Sequence, residues 1–80
     1  MTKEQLEQRL RAFPGVVGTT GVEVVGHEKF VAKVLVKSFD GTDEADRQAR
    51  IYEFLRERFS EDEMQAVEYI ITNAPGDPAP

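Results

Sequence analysis

The sequence predicts a small α+β domain with the element order αββαβ. Three observations support this fold class. Apolar residues recur at helical spacing near the start and in the middle of the chain, β-branched runs follow each of these segments, and Gly or Pro marks several boundaries. The 80 residues leave room for one domain, which we place at residues 1–72. The Pro- and Gly-rich residues 73–80 are predicted to form a disordered tail that buries nothing.

The N-terminal segment predicts a helix. Thr2 and Gln5 have the spacing of a capping box, in which each side chain accepts a hydrogen bond from the other residue's backbone N–H. Pro14 and Gly15 stop the helical pattern. The apolar stripe of this helix consists of Leu6, Leu10 and Phe13.

A β-hairpin is predicted next. Two runs rich in β-branched residues, 22–25 and 30–38, are separated by the polar turn Gly26-His27-Glu28-Lys29. Side chains alternate between the two faces of a strand, so every second residue of the longer run should face the core. These core-facing residues are Phe30, Ala32, Val34 and Val36.

The longest predicted helix has Thr42 or Asp43 as its N-cap and ends near Phe59. Ser60 and Glu63 match a second capping box, so a short extra helical turn would change the order to αββααβ. The apolar stripe assigned to the long helix is Ala45, Ala49, Tyr52, Leu55 and Phe59.

The last strand begins at Val67 and closes a strand–helix–strand crossover, which is right-handed in nearly all proteins. We therefore expect a three-stranded mixed sheet with strands one and two antiparallel, strands two and three parallel, and the helices packed on one face. On the last strand, Val67, Tyr69 and Ile71 are assigned to the helix side. The opposite, open face is predicted to carry Val25, Val31, Leu35 and Ile70 among Glu23, Lys33, Lys37 and Glu68.

A sheet face that mixes apolar and charged residues has two interpretations. It is either an ordinary solvated surface with cross-strand ion pairs or a docking surface. In the second case Val31, Leu35 and Ile70 are candidate partner-binding residues, and they would contact a protein partner or a second copy of the chain.

Composition excludes several classes of function. The chain has no Cys, one His and a net charge of −5, so disulfides and thiolate ligands are absent and attraction to nucleic acid or anionic lipid is disfavoured. The charged N-terminal segment lacks the apolar run of a signal peptide, and we expect a cytoplasmic protein. Ser38 and Ser60 lie outside any nucleophile elbow, so we expect no enzyme.

The region from Phe30 to Tyr52 resembles the BolA-like proteins. In that family an aromatic-led strand ends in a Phe-x-Gly turn, an Arg-His-Arg segment precedes a Val/Ile-Tyr pair, and the closing strand ends in a Thr/Pro pattern. The matching residues here are Phe30, Phe39, Gly41, Arg47, Ile51, Tyr52, Thr72 and Pro75. The resemblance covers roughly residues 2–75 and implies the αββααβ layout of the type II KH fold.

The resemblance also implies a function. BolA-like proteins are partners of monothiol glutaredoxins in iron-sulfur handling or stress regulation, which predicts a non-enzymatic adaptor or regulator. The family's signature histidine, implied as a cluster ligand, falls on Gln48 here, and its second Arg falls on Ala49. Iron prefers thiolate or imidazole to an amide, so we expect no cofactor unless a partner supplies most ligands of a shared iron-sulfur cluster.

His27 is the remaining metal candidate, and a solvated hairpin turn is the ordinary alternative for it. Arg47, Gln48 and Arg50 are candidate partner-binding residues near the start of the long helix, where a carboxylate or phosphate could meet them. The alternative is intrahelical pairing of Arg47 with Asp43 and of Arg50 with Asp46 or Glu53.

The sequence is therefore compatible with three functions. The first is the adaptor or regulator acting through protein contacts, with a monothiol glutaredoxin as the partner that the resemblance implies. The second is a self-associating scaffold, such as a homodimer, that uses the open sheet face. The third is a KH-like nucleic-acid-binding module, which the acidic charge and the lack of a basic, aromatic-lined groove disfavour.

Overall fold

The computed structural model describes residues 1–17, 21–26 and 28–77. Within these ranges the chain forms a three-stranded sheet and three α-helices, and the predicted α+β class and αββααβ order are confirmed. The elements are α1 (Lys3–Arg11), β1 (Gly21–Val25), β2 (Lys29–Leu35), a 3₁₀ turn (Lys37–Phe39), α2 (Glu44–Arg56), α3 (Glu61–Met64) and β3 (Val67–Asn73). Among the described helices, none has the length and apolar character needed to cross a membrane.

Local sequence signals set the helix starts. Both predicted capping boxes form, with the Thr2 hydroxyl accepting from the Gln5 N–H and the Ser60 hydroxyl accepting from the Glu63 N–H. Asp43 caps α2 by accepting from the Asp46 N–H. Each of these side chains satisfies a backbone donor that the first helical turn would otherwise leave without a partner.

The sheet has the order β1-β2-β3, with β1 antiparallel and β3 parallel to β2, as predicted. Val16 extends the sheet locally through an antiparallel bridge to Val36. Helices α1 and α2 cover one face. The core between helices and sheet is formed by Leu6, Leu10, Val22, Phe30, Ala32, Val34, Val36, Phe39, Ile51, Leu55, Val67, Ile70 and Ala74.

The predicted faces of β3 are partly wrong because the strand contains a bulge. Phe30 pairs with Val67 and the next residue, Val31, pairs with Tyr69, so Glu68 is an extra residue on β3. The extra residue reverses the alternation of side chains after Val67. Ile70 is consequently buried on the helix side, with 3% of its surface exposed, whereas Tyr69 and Ile71 lie on the open face.

Two further predictions need correction. The stripe of α2 that faces the core is Arg47, Ile51 and Leu55 rather than the one through the exposed Ala45 and Ala49. Its first member is an arginine, which conceals the stripe in a hydrophobicity pattern. Strand β2 also ends at Leu35 rather than at residue 38, because the chain turns through Lys37–Phe39.

The segment after β3 packs against the domain, although it was predicted to bury nothing. Ala74 is 4% exposed, and residues 74–77 form a turn closed by a 3.0 Å hydrogen bond from the Asp77 N–H to the Ala74 carbonyl. Proline at the second position of the turn favours it, because the ring fixes φ. Residues 78–80 lie outside the described ranges.

Candidate functional site

Two of the three predicted partner-binding residues of α2 lie where its first turns meet the end of β3. Here side chains and backbone carbonyls form a continuous set of hydrogen bonds, which we call the polar seam. Its members are Thr42, Glu44, Arg47, Gln48, Ile70, Thr72 and Asp77.

Arg47 is at the centre of the polar seam and is only 8% exposed. Its Nε donates to the Thr42 carbonyl at 2.7 Å, and Nη1 lies 3.4 Å from the Thr72 carbonyl. The outer edge of the guanidinium donates to both carboxylate oxygens of Asp77, each at 2.8 Å. This bidentate geometry is the strong form of the arginine–carboxylate pair, and it ties α2 to the segment after β3.

The contacts of Asp77 change its acidity. Hydrogen bonds from the Arg47 guanidinium and from the Ala74 N–H lower the pKa of the Asp77 carboxyl to about 2. The same pair raises the pKa of Arg47, with smaller contributions from the nearby Glu44 and Asp40 carboxylates. The ion pair therefore persists across the physiological pH range.

Gln48 occupies the second part of the polar seam. Its Nε2 donates to the Ile70 carbonyl at 2.7 Å and to Glu44 Oε1 at 2.9 Å. The Thr72 hydroxyl donates to the same Glu44 carboxylate at 2.9 and 3.0 Å. Both amide hydrogens of Gln48 are thus used within the protein.

These contacts protect an edge of the sheet. Within the described part of the chain, strand β3 pairs only with β2, and the carbonyls of Ile70 and Thr72 point to the side away from β2. Gln48 and Arg47 donate to these two carbonyls. An edge strand whose backbone groups are engaged is a poor template for pairing with another chain.

The predicted intrahelical pairing is wrong for Arg47, since the Asp43 carboxylate caps the helix and Arg47 pairs with Asp77. Arg50 is exposed, and within the described residues it makes no ion pair with Asp46 or Glu53. The structure thus brings Arg47 and Gln48 together and leaves Arg50 on a different part of the helix surface. The predicted metal candidate His27 lies outside the described residues.

The open face of the sheet, on the side opposite the helices, is the second candidate site. Tyr69 and Ile71 are 51% and 42% exposed on it, and Val31 lies between Glu23 and Tyr69 in the paired strands. Val17 donates its N–H to the Leu35 carbonyl at the end of β2. The apolar members of the open face are Val17, Val25, Val31, Leu35, Tyr69 and Ile71.

One residue predicted to contact a partner through the open face does not lie on it. Val31 and Leu35 are half-buried on the open face, as expected, but Ile70 is in the core and cannot contact a partner there. Tyr69 and Ile71 were missed as surface residues. No periodic signal separates them from Ile70, because residues 69–71 are all apolar and the bulge at Glu68 decides which of them face outward.

A shallow depression of about 270 Å³ lies in the open face. It forms beside Gly21, where an added Cβ atom would meet nothing within 4 Å. Glu23, Lys33, Tyr69 and Ile71 border it. The face is therefore indented, and the depression is bordered by one acidic and one basic group beside apolar side chains.

The described residues do not fit a cluster-ligand set. They include no group of three His, Asp or Glu side chains placed to hold a metal ion. The amide of Gln48 already donates to the Ile70 carbonyl and to Glu44. Its oxygen is a poor ligand for iron, which is held by thiolate and imidazole in such clusters.

The fold of this chain is similar to that of a protein of known structure. No family model and no curated protein matches the sequence. Among solved structures, BolA1 from Arabidopsis thaliana superimposes with a TM-score of 0.71, covering 96% of this chain and 95% of that chain at 20% sequence identity. The chain has a BolA-like fold. The superposition spans almost the whole chain, and therefore the segment β2–α2–β3 that carries the polar seam.

Proposed function

We propose that this BolA-like chain is a small non-enzymatic adaptor or regulatory protein that acts through protein contacts. The observation that carries the proposal is the open sheet face, where Tyr69 and Ile71 expose about half of their surfaces with no described element over them. Aromatic side chains are enriched at protein interfaces, because they bury a large area and lose little rotamer entropy.

The titratable groups with shifted pKa values support a non-enzymatic role. Burial raises the pKa of the Tyr52 hydroxyl, and a hydrogen bond from the Ser60 N–H lowers that of Glu63 as part of a helix cap. Asp77 and Arg47 shift through their mutual ion pair. Each shift thus has a structural cause, which is burial for Tyr52 and a hydrogen-bonded partner for the others, and these groups do not converge on one cleft.

The partner class that the BolA-like resemblance implies is a monothiol glutaredoxin, in cytoplasmic iron-sulfur handling or stress regulation. The similarity to BolA1 over almost the whole chain supports the BolA-like fold from which this proposal starts. Because the Gln48 amide is engaged within the polar seam, any cluster at the interface would be held by ligands of the partner. This chain would then supply shape and apolar contact area.

The test is to mix the protein with an iron-sulfur-loaded monothiol glutaredoxin and to measure complex mass by light scattering together with visible absorption. We expect a heterodimer whose affinity falls at least about tenfold in Ile71→Glu. Gln8→Glu is the matched control, since it adds the same charge on the exposed surface of α1, away from both candidate sites. Absence of a complex, or equal weakening by both variants, would contradict the proposal.

The identity of residue 48 provides a second readout. Gln48→His restores the residue that the resemblance places at this position. If the polar seam contacts the cluster, this variant should change the visible spectrum of the complex, while wild type should keep the spectrum of the partner's own cluster. Identical spectra for the two proteins would place the contact away from residue 48.

Self-association through the open face is the alternative function. The observation in its favour is that Glu23 and Lys33 lie on the same face, so two copies related by a two-fold axis could pair these opposite charges. Sedimentation of wild type should then show a dimer, and Leu35→Glu should shift it to monomer. A wild type that is monomeric at high concentration would exclude this alternative.

The nucleic-acid-binding function has its own test. A titration with nucleic acid at low salt that shows no binding would exclude it.

A further inference from the structure

Arg47 has the construction of a binding site rather than of a simple surface ion pair. Two backbone carbonyls, those of Thr42 and Thr72, hold its Nε and Nη1 from the protein side. The remaining N–H groups point outward as a fork, and Asp77 occupies that fork. The side chain of Arg47 is 9% exposed and that of Asp77 is 31% exposed, so the carboxylate is the accessible member of the pair.

The segment that carries Asp77 is held by few contacts. Residues 74–77, which we call the strap, are attached by the Arg47 pair and by a 2.7 Å bond from the Gly76 N–H to Asp40 Oδ1. The Asp77 carboxylate also accepts from the Ala74 N–H within the strap. Ala74 is buried, but residues 75 and 76 are exposed. The end of the strap can therefore lift while Ala74 stays in the core.

Lifting the strap would leave a nearly buried guanidinium without its paired carboxylate. Such a charge is strongly unfavourable, so opening becomes favourable only when another anion replaces Asp77. The fork geometry matches a planar carboxylate. Asp40 and Glu44 lie near the site and would repel a doubly charged phosphate more than a singly charged carboxylate.

We propose that the Arg47 fork is a receptor for a carboxylate group, occupied by Asp77 in the closed form of the chain and by an acidic residue of a partner protein when the strap lifts. The strap thus acts as a built-in competitor. Its tethering gives Asp77 a high effective concentration at the fork, which sets the affinity that an external carboxylate must exceed. This inference is independent of the open face, and either can fail without the other.

The test uses acetate as the probe and Asp77→Ala as the variant in which the fork is unoccupied. Thermal unfolding is followed at neutral pH in sodium acetate and in sodium chloride of equal ionic strength. We expect acetate to raise the midpoint of Asp77→Ala by about 3 °C or more above chloride. Wild type should need roughly tenfold more acetate for the same response, because Asp77 competes.

Two control variants assign the response to Arg47. The double variant Arg47→Met with Asp77→Ala should lose it, and Asp62→Ala, which removes an exposed acid of α3, should behave as wild type. An equal effect of acetate and chloride on Asp77→Ala, or a full response in the double variant, would overturn the proposal. If Asp77→Ala does not fold in chloride, folding restored by acetate supports the site, and no restoration overturns it.

Gly76→Ala tests the strap without changing either charge. A Cβ atom at this position would lie 2.5 Å from Asp40 Oδ1, so the Asp40 carboxylate would have to turn away and give up its hydrogen bond from the Gly76 N–H, which should loosen the strap. We expect its acetate response to fall between those of wild type and Asp77→Ala. A response identical to wild type would show that the strap does not control access to the fork.

A peptide probe extends the test from acetate to a protein-like ligand. The probe is a capped peptide of sequence Asn-Ala-Pro-Gly-Asp, which copies residues 73–77, and its control has Asn in place of Asp. Binding to Asp77→Ala is measured by the shift of the Arg47 Nε–H resonance. We expect the acidic peptide to bind at least about tenfold more tightly than the control. Equal binding would reject recognition of a carboxylate on a peptide.

Discussion

The polar seam and the open face lie in different parts of the same fold and contrast in how completely their groups are satisfied. In the seam, Arg47 and Gln48 use their donors on carbonyls and carboxylates of the chain itself. On the open face, Tyr69 and Ile71 leave apolar surface in water. The seam therefore closes the molecule, and the open face is where new contacts would remove most apolar area from solvent.

The predicted partner-binding residues of α2 and the exposed apolar residues of β3 differ in what they contact. Arg47 and Gln48, two of the predicted partner-binding residues, hold α2 to β3. Residues that belong to no motif, Tyr69 and Ile71, form the more accessible surface. A residue predicted for partner contact can therefore have most of its donors engaged within the fold.

The largest loss of stability is expected at Ile70, and its neighbour on β3, Ile71, provides the comparison. Ile70→Ala should reduce the free energy of unfolding by about 2–4 kcal/mol, because it removes methyl groups from the core. Ile71→Ala should cost less than about 1 kcal/mol, since that side chain is partly solvated. Urea denaturation of both variants measures the difference. Equal losses would contradict the bulge at Glu68 and the assignment of faces.

Acid should weaken the polar seam. The pKa of Asp77 is lowered to about 2 in the folded protein, so its stabilising contribution is complete above its unfolded value, near pH 4, and is lost as pH falls to about 2. Asp77→Asn removes the titrating group and should lower the melting midpoint by about 5 °C at neutral pH.

The comparison of pH profiles isolates this effect. Between about pH 4 and pH 2, wild type should lose more stability than Asp77→Asn, whose other carboxyl groups are unchanged. Urea unfolding at several pH values in this window provides the measurement. Parallel profiles for the two proteins would show that the Arg47 pair is not maintained in solution.

The sequence predicted the architecture well because the signals for it are local. The capping boxes at Thr2 and Ser60 and the hairpin depend on residues close in the chain, and the crossover follows from the order strand, helix, strand; all of them form. The open face could be predicted as a surface. Its composition could not, because a single extra residue, Glu68, reverses the direction of every side chain that follows.

The polar seam could not be predicted for a different reason. Arg47 and Asp77 are 30 residues apart, and nothing in local spacing indicates that they meet. Asp43 is the local candidate, but a carboxylate at the N-cap is better used on the backbone N–H of Asp46. The Pro-Gly dipeptide before Asp77 was the one available signal, since it favours a turn that returns the chain to the domain.

A smaller effect is expected from the amide of the seam. Gln48→Ala removes the donors to Ile70 and Glu44 and should reduce the free energy of unfolding by about 1 kcal/mol. Gln8→Ala is the matched control on the exposed surface of α1 and should change it by less than about 0.5 kcal/mol. Urea denaturation compares them, and equal values would mean that the Gln48 bonds contribute nothing net.

The smallest effect on stability is expected on the open face. Tyr69→Ser removes a half-exposed ring, and we expect less than about 1 kcal/mol of lost stability. The same variant should strongly reduce binding to a partner that covers the face, because the ring supplies much of its apolar area. If Tyr69→Ser lost much stability and kept its binding, Tyr69 would stabilise the fold rather than contact the partner. The contact surface would then lie elsewhere.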